Sequence, residues 1–267
     1  MHHARRVLLV AGGMLVLAAA VMFLVAPAAA EALWPWELPR LSRIFLASIL
    51  AASAVPVIWT GFSGEFAAVA AGAIDLAVMY AGMAAYLLIV GPEQPNPGVF
   101  PLAIICVAMA VILFVLFRWS RRLPFRDARP MPMPVRASFI LFACALVAVG
   151  GALTVGRQNT FPWPLAQDTS VMFGFIYLGA ATYFAYGLVR PMWGNAKGQL
   201  LGFLAYDVVL IPPFLMHFAT VKPEMLASLT VYTIVLFASA FLAIYYLFIH
   251  SATRFGSDSL PQGAQTI

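Results

Sequence analysis

Two carboxylates carry the most chemistry in this sequence. Asp75 and Asp207 each fall inside a long apolar run. An ionised Asp at the centre of a bilayer costs about 2.5–3.5 kcal/mol on insertion scales, so such a group faces a bundle interior and takes a partner. Both helices run in the same direction, and each Asp is expected roughly 8–10 residues from one end, about 12–15 Å deep at the helical rise. Tyr80 and Tyr206 are the nearest candidate partners. The two lysines, Lys197 and Lys222, are read as loop residues, which leaves no cation at similar depth. The chemistry open to the pair is a proton or cation site, or neutral hydrogen-bonded glue between helices. Neither helix shows a polar track in the sequence, which favours glue.

Other reactive residues are sparse. Of His2, His3, His217 and His250, the last two are expected at opposite ends of the membrane, too far apart to share a haem or a zinc ion; each is read as an interfacial hydrogen-bonding group. One His could still hold a pigment or haem together with a partner chain, so cofactor content is left unknown. Cys106 and Cys144 lie in apolar runs and read as small hydrophobes. The sequence contains no HExxH, GxSxG, Walker A or GxGxxG-in-βαβ pattern. No catalytic or metal-binding set is assigned, which argues against an enzyme. Glu31, Glu37, Glu93 and Glu224 read as solvated loop residues, and Arg40 and Arg43 as groups that snorkel or pair with Glu37.

The elements that must position these residues follow from composition. The chain has 267 residues, of which 63% are hydrophobic and 9% charged, with mean hydropathy +0.94. A soluble domain carries about 25% charged residues. Too little polar surface remains to coat a water-soluble globule, which excludes a cytosolic enzyme, a secreted disulfide scaffold, a disordered tail and a nucleic-acid binder. The net charge of +5 is therefore read as membrane topology and contact with anionic lipid.

Apolar runs fall at about 7–29, 41–60, 66–90, 99–117, 137–156, 168–189, 199–220 and 226–250, each long enough to cross a bilayer. Unpaired backbone is not tolerated in lipid, so all are helices: an all-α, polytopic integral membrane bundle of eight spans. With the N-terminus inside, eleven Lys and Arg residues lie on the inner side against four on the outer (Arg40, Arg43, Arg157 and Lys222), which predicts both termini in the cytoplasm, in a bacterial inner (plasma) membrane. Trp34, Trp36 and Trp163 then sit at the outer boundary and Trp59, Trp119 and Trp193 at the inner one, as interface anchors. The basic start and Ala26-Pro-Ala-Ala-Ala30 resemble a cleavable leader, but the run of about 21 residues exceeds the usual 7–15 of a signal core and predicts a retained span.

An internal repeat is suggested by Trp34-Pro35-Trp36-Glu37-Leu38 and Phe161-Pro162-Trp163-Pro164-Leu165, 127 residues apart. The implied organisation is a first four-helix half (1–117), a basic cytoplasmic linker (118–136), a second four-helix half (137–250) and a cytoplasmic tail (251–267), with the halves in parallel orientation. Asp75 and Asp207 occupy corresponding spans. Helix packing is assigned to Ala73, Ala77, Ala81 and Ala85 at every fourth position and to Gly198 and Gly202 as a GxxxG pair. Pro212-Pro213 should free carbonyls and bend the seventh span in its outer half. The expected role is a non-catalytic accessory or assembly subunit of a larger membrane complex, with the bilayer and other membrane subunits as partners. The alternative is a small proton- or cation-coupled transporter working through Asp75 and Asp207.

Overall fold

A computed structural model describes residues 2–91 and 97–257, except the side chain of His2. Among these residues there are no strands, and eight helices are long and apolar enough to cross a membrane. They are α1 (His2–Val25), α3 (Arg40–Ser63), α4 (Val69–Val90), α5 (Val99–Ser120), α6 (Met133–Thr154), α7 (Gln167–Val189), α8 (Trp193–His217) and α9 (Pro223–Ile244). A six-residue helix α2 (Pro27–Ala32) follows α1, and a 3-10 turn, Phe66–Ala68, leads into α4. The protein is an all-α membrane bundle. Its spans coincide with the apolar runs because length and hydropathy alone define a span. Glu93 lies outside the described residues.

The helices form two rows. One row is α1, α3, α8, α9, and the other is α6, α7, α4, α5, each helix packing on the next. Between rows the backbones of α3 and α4, and of α7 and α8, stay apart, and α7 meets α8 through side chains, with Phe184 stacked on Phe203 and Gln199 donating to the Tyr183 carbonyl. The first and second halves of the sequence therefore interleave, each row taking one hairpin from each half. Moving every span forward by four exchanges the rows: α1 on α3 becomes α6 on α7, α4 on α5 becomes α8 on α9, and α3 on α8 becomes α7 on α4. The peripheral pairs use the same device. A Cβ on Gly13 of α1 would stand 3.1 Å from the Ala54 carbonyl, and one on Gly61 of α3 would stand 3.0 Å from the Arg6 carbonyl. In α6 and α7, Gly150 and Gly174 likewise lie against each other's carbonyls. Bare backbone lets helices approach where lipid supplies no hydrophobic drive for association.

Several sequence expectations are altered by this packing. Ala73 and Ala77 are buried, whereas Ala81 and Ala85 are exposed. Four residues turn an α-helix by about 400°, so an every-fourth stripe drifts about 40° per step and leaves the interface. Gly198 and Gly202 do face α3, with Trp59 over the first and the Ala52 carbonyl over the second. α8 runs continuously through Pro212 and Pro213, so the pair removes two N–H donors without ending the helix. Trp163 and Trp193 are core residues, 4% and 0% exposed, rather than interface anchors. Their indole N–H groups are used inside the protein, at 2.9 Å to Ser42 Oγ and 3.0 Å to the Thr253 carbonyl. Trp34, Trp36, Trp59 and Trp119 are half-buried.

Candidate functional site

Between the rows lies a cavity of about 390 Å³, lined by every long helix except α1. Both Asp75 and Asp207 line it. Asp75 projects from α4 and Asp207 from α8, the two helices that exchange under the four-span shift. The structure thus brings the two carboxylates to one chamber.

Their surroundings differ. Asp207 is fully buried, and Ser239 Oγ of α9 lies 2.9 Å from each of its carboxylate oxygens. Asp75 is half-buried, and among the described residues no group donates a hydrogen bond to its carboxylate. It lies against bare backbone: a Cβ on Gly179 of α7 would come within 2.7 Å of both its Oδ1 and its carbonyl oxygen.

The tyrosines expected beside the carboxylates do other work. Tyr206 is hydrogen-bonded to Tyr232, which is also hydrogen-bonded to Tyr177. The three hydroxyls, one each from α7, α8 and α9, satisfy one another in the cavity wall. Tyr80 does not line the cavity; it packs into the apolar core near Cys106. Tyr183 of α7 is the ring in the field of Asp75. Ser53 and Thr60 of α3 add hydroxyls to the wall, and Ser53 Oγ also donates to the Ile49 carbonyl at 2.9 Å. The polar lining is spread over five helices, so no single helix displays a polar track.

The second aromatic-Pro-Trp block meets this chamber. Thr160 and Phe161 line it at the end away from the linker. The block is tied to the other row through Trp163 on Ser42 and through His217, whose Nε2 is 2.9 Å from the Pro162 carbonyl. His217 and His250 both make local hydrogen bonds, the latter through Nδ1 at 3.2 Å from Thr253 Oγ1. Arg43 donates to the carbonyls of Phe23 and Leu24 and closes the end of α1, instead of pairing with Glu37.

On the linker side lies a polar cluster assembled from residues far apart in the sequence. Glu65, 3% exposed, accepts backbone N–H bonds from Arg126 and Asp127 at 2.9–3.0 Å. Asp127 is bridged by Arg129 at 2.6 Å and by Lys197 at 2.7 Å. Lys197 is not a loop residue; it occupies the first turns of α8 and is 2% exposed. Trp193 and Gly194 donate backbone N–H bonds to the carbonyls of Arg129 and Asp127. Burial alone would raise the Asp127 carboxyl, but hydrogen bonds and charge from Arg129 and Lys197 outweigh it and hold the group well below the usual carboxylate range. The linker is thus docked structure that ties the ends of α3 and α8 to the chain leaving α5. The signal in the sequence was Asp127, the one carboxylate within the basic stretch 118–136.

Comparison with protein-family models, with curated proteins and with solved structures returns no match.

Proposed function

We propose that this protein is a small proton-coupled secondary transporter in which the chamber between the rows is the carrying site and Asp75 is the proton-exchanging group. The observation that carries this reading is that Asp75 lines the chamber with no hydrogen-bond donor to its carboxylate among the described residues, on a helix related by the four-span shift to the one bearing Asp207. Ionisable groups inside membranes mark ion and substrate pathways, and parallel repeats with an axis along the membrane normal build many carriers. The row exchange supports duplication of a four-span unit. The rows are joined by the Trp163–Ser42 contact on the side of the second aromatic-Pro-Trp block, by the Tyr177–Tyr232 and Phe184–Phe203 contacts in the chamber wall, and α8 is held to the linker by the Asp127–Lys197 pair. Rocking one row against the other would open the contacts between rows in turn. The charge asymmetry of the loops supports a bacterial inner-membrane location with the linker and both termini in the cytoplasm.

The test is proton movement in proteoliposomes with a trapped pH dye, challenged with a panel of amines, carboxylates and neutral osmolytes. At least one class should move protons through the wild type and not through Asp75→Asn of equal purity and monodispersity. A folded wild type that moves protons with no compound overturns the reading.

A second reading, a subunit of a larger membrane assembly, is favoured by Ala81 and Ala85, small residues exposed on α4 where a partner helix could approach closely. Purification from the native membrane in gentle detergent separates the two: a stoichiometric partner supports the subunit, and a lone protein removes it.

A further inference from the structure

The chamber's lining is one-sided in charge. Its ionisable side chains besides tyrosine are Asp75 and Asp207, and among the described residues no Lys, Arg or His lines it. An anion would therefore meet two carboxyl groups and no counter-charge. The walls are otherwise rings, aliphatic side chains and the neutral hydroxyls of Ser53, Thr60, Thr160, Ser228 and Ser239. Phe142, Phe184 and Phe203 form one aromatic wall, with Phe184 stacked on Phe203 at 4.4 Å and Phe142 edge-on to Phe203 at 4.6 Å. The linked tyrosines and Phe161 form another. Ring faces carry negative potential and attract cations, most strongly where water is excluded. A mostly apolar pocket with few placed polar groups is also the usual form of a small-molecule site.

We propose that the chamber binds a monovalent organic ammonium ion with an apolar body, its charge set against Asp75 and its body against the aromatic walls. The proposal rests on the transport reading and names its substrate class. Asp207, already engaged by Ser239, leaves Asp75 as the free counter-charge, so one positive charge is held at a time. Charge balances as an exchange: when the ammonium ion enters against Asp75, the carboxyl proton leaves to water, and when the ammonium ion leaves, a proton returns. Each cycle moves one cation against one proton.

The experiment uses radiolabelled benzyltrimethylammonium and, as an anion of similar shape, phenylmethanesulfonate. Equilibrium dialysis against the purified full chain in neutral detergent, with empty micelles subtracted, should show saturable one-to-one binding of the cation and none of the anion. Asp75→Asn should weaken cation binding at least tenfold, and Asp75→Glu should retain most of it. Equal binding of both ions, no saturable binding of the cation, or cation binding unchanged in a monodisperse Asp75→Asn overturns the proposal. The comparison between ions needs no variant, so a misfolded Asp75→Asn does not disarm it. Binding without cation-driven proton movement in proteoliposomes would sink the transport reading and keep the ligand class. Proton movement driven by other compounds, with no cation bound, would do the reverse.

Discussion

Ser239 Oγ lies 2.9 Å from both Asp207 carboxylate oxygens and 2.9 Å from the Val235 carbonyl one turn back on α9. A hydroxyl has one proton to donate. If Ser239 gives it to Asp207, the Val235 carbonyl keeps only its helical bond. If it gives it to Val235, Asp207 must itself be the donor to Ser239. The second arrangement satisfies every donor and leaves no buried charge, which suits a fully buried carboxyl with a neutral partner. Asp207→Asn should then preserve the geometry and change resistance to denaturant by less than about 1 kcal/mol, while Ser239→Ala strands a buried polar group and costs about 1–3 kcal/mol. Denaturant titration of both variants in mild detergent checks this. The reverse order of damage would mean that Asp207 is held as an anion.

The linker cluster predicts a pH signature of defined sign. The Asp127 carboxyl is held below the usual range by Arg129 and Lys197. Its contribution to stability is therefore complete above the ordinary Asp value of about 3.9 and is lost as pH falls below it. Asp127→Asn removes the charge facing a buried Lys197 and should cost on the order of 3 kcal/mol at pH 7, the scale of a broken buried pair. The difference between wild type and variant in thermal unfolding should shrink below about pH 4. A gap that holds constant on acidification would place the effect in packing rather than in the ion pair.

The span map was readable from sequence because length and hydropathy are properties of one helix at a time. The same locality explains what was missed. The partners of Asp75 and Asp207 come from other helices: Ser239 is 32 residues from Asp207, and Gly179, with the nearby ring of Tyr183, is over 100 residues from Asp75. Lys197 looks like a loop residue in the sequence because a cation interrupts the apolar run, whereas the helix begins four residues earlier at Trp193 and the ammonium pairs with Asp127. Positions near span ends point Trp163 and Trp193 to the membrane interfaces. A span end next to a folded loop is interior, and there a Trp finds both apolar contact and an acceptor for its N–H. The repeat block was visible in the sequence, but the interleaving of the two halves into rows was not, since it depends on which hairpin faces which.

The Ala stripe supplies a discriminating pair of substitutions. Ala77 is buried within the bundle, and Ala81 is exposed on the same helix one turn on. Ala77→Phe overpacks the interior and should destabilise the isolated protein by about 1–3 kcal/mol. Ala81→Phe should leave the isolated protein within about 0.5 kcal/mol of wild type. In native membranes, Ala81→Phe should reduce co-purification of a partner if α4 packs against another subunit, and should change nothing if the protein works alone. Quantitative mass spectrometry of the detergent extract reads the difference.

Gly179 offers the most direct handle on Asp75 without altering its chemistry. A methyl group there would come within 2.7 Å of Asp75 Oδ1 and of the Asp75 carbonyl, and within 2.9 Å of Met79 Cβ. The carbonyl and Cβ belong to the body of α4 and cannot swing away, so α4 and α7 must part slightly, with a cost of about 1–3 kcal/mol from overpacking. The carboxylate can rotate, and the chamber that Asp75 lines offers it open volume. Gly179→Ala should therefore stay folded, with thermal unfolding moved down, and present Asp75 further into the cavity. Solvent access to that carboxylate is measurable by carbodiimide labelling followed by peptide mass spectrometry. Labelling of Asp75 should rise in Gly179→Ala relative to wild type, while labelling of Asp207, shielded by Ser239 on another helix, should not. A parallel rise at both carboxylates would mean that the substitution opens the whole bundle, and unchanged labelling at both would mean that Asp75 is not held against α7.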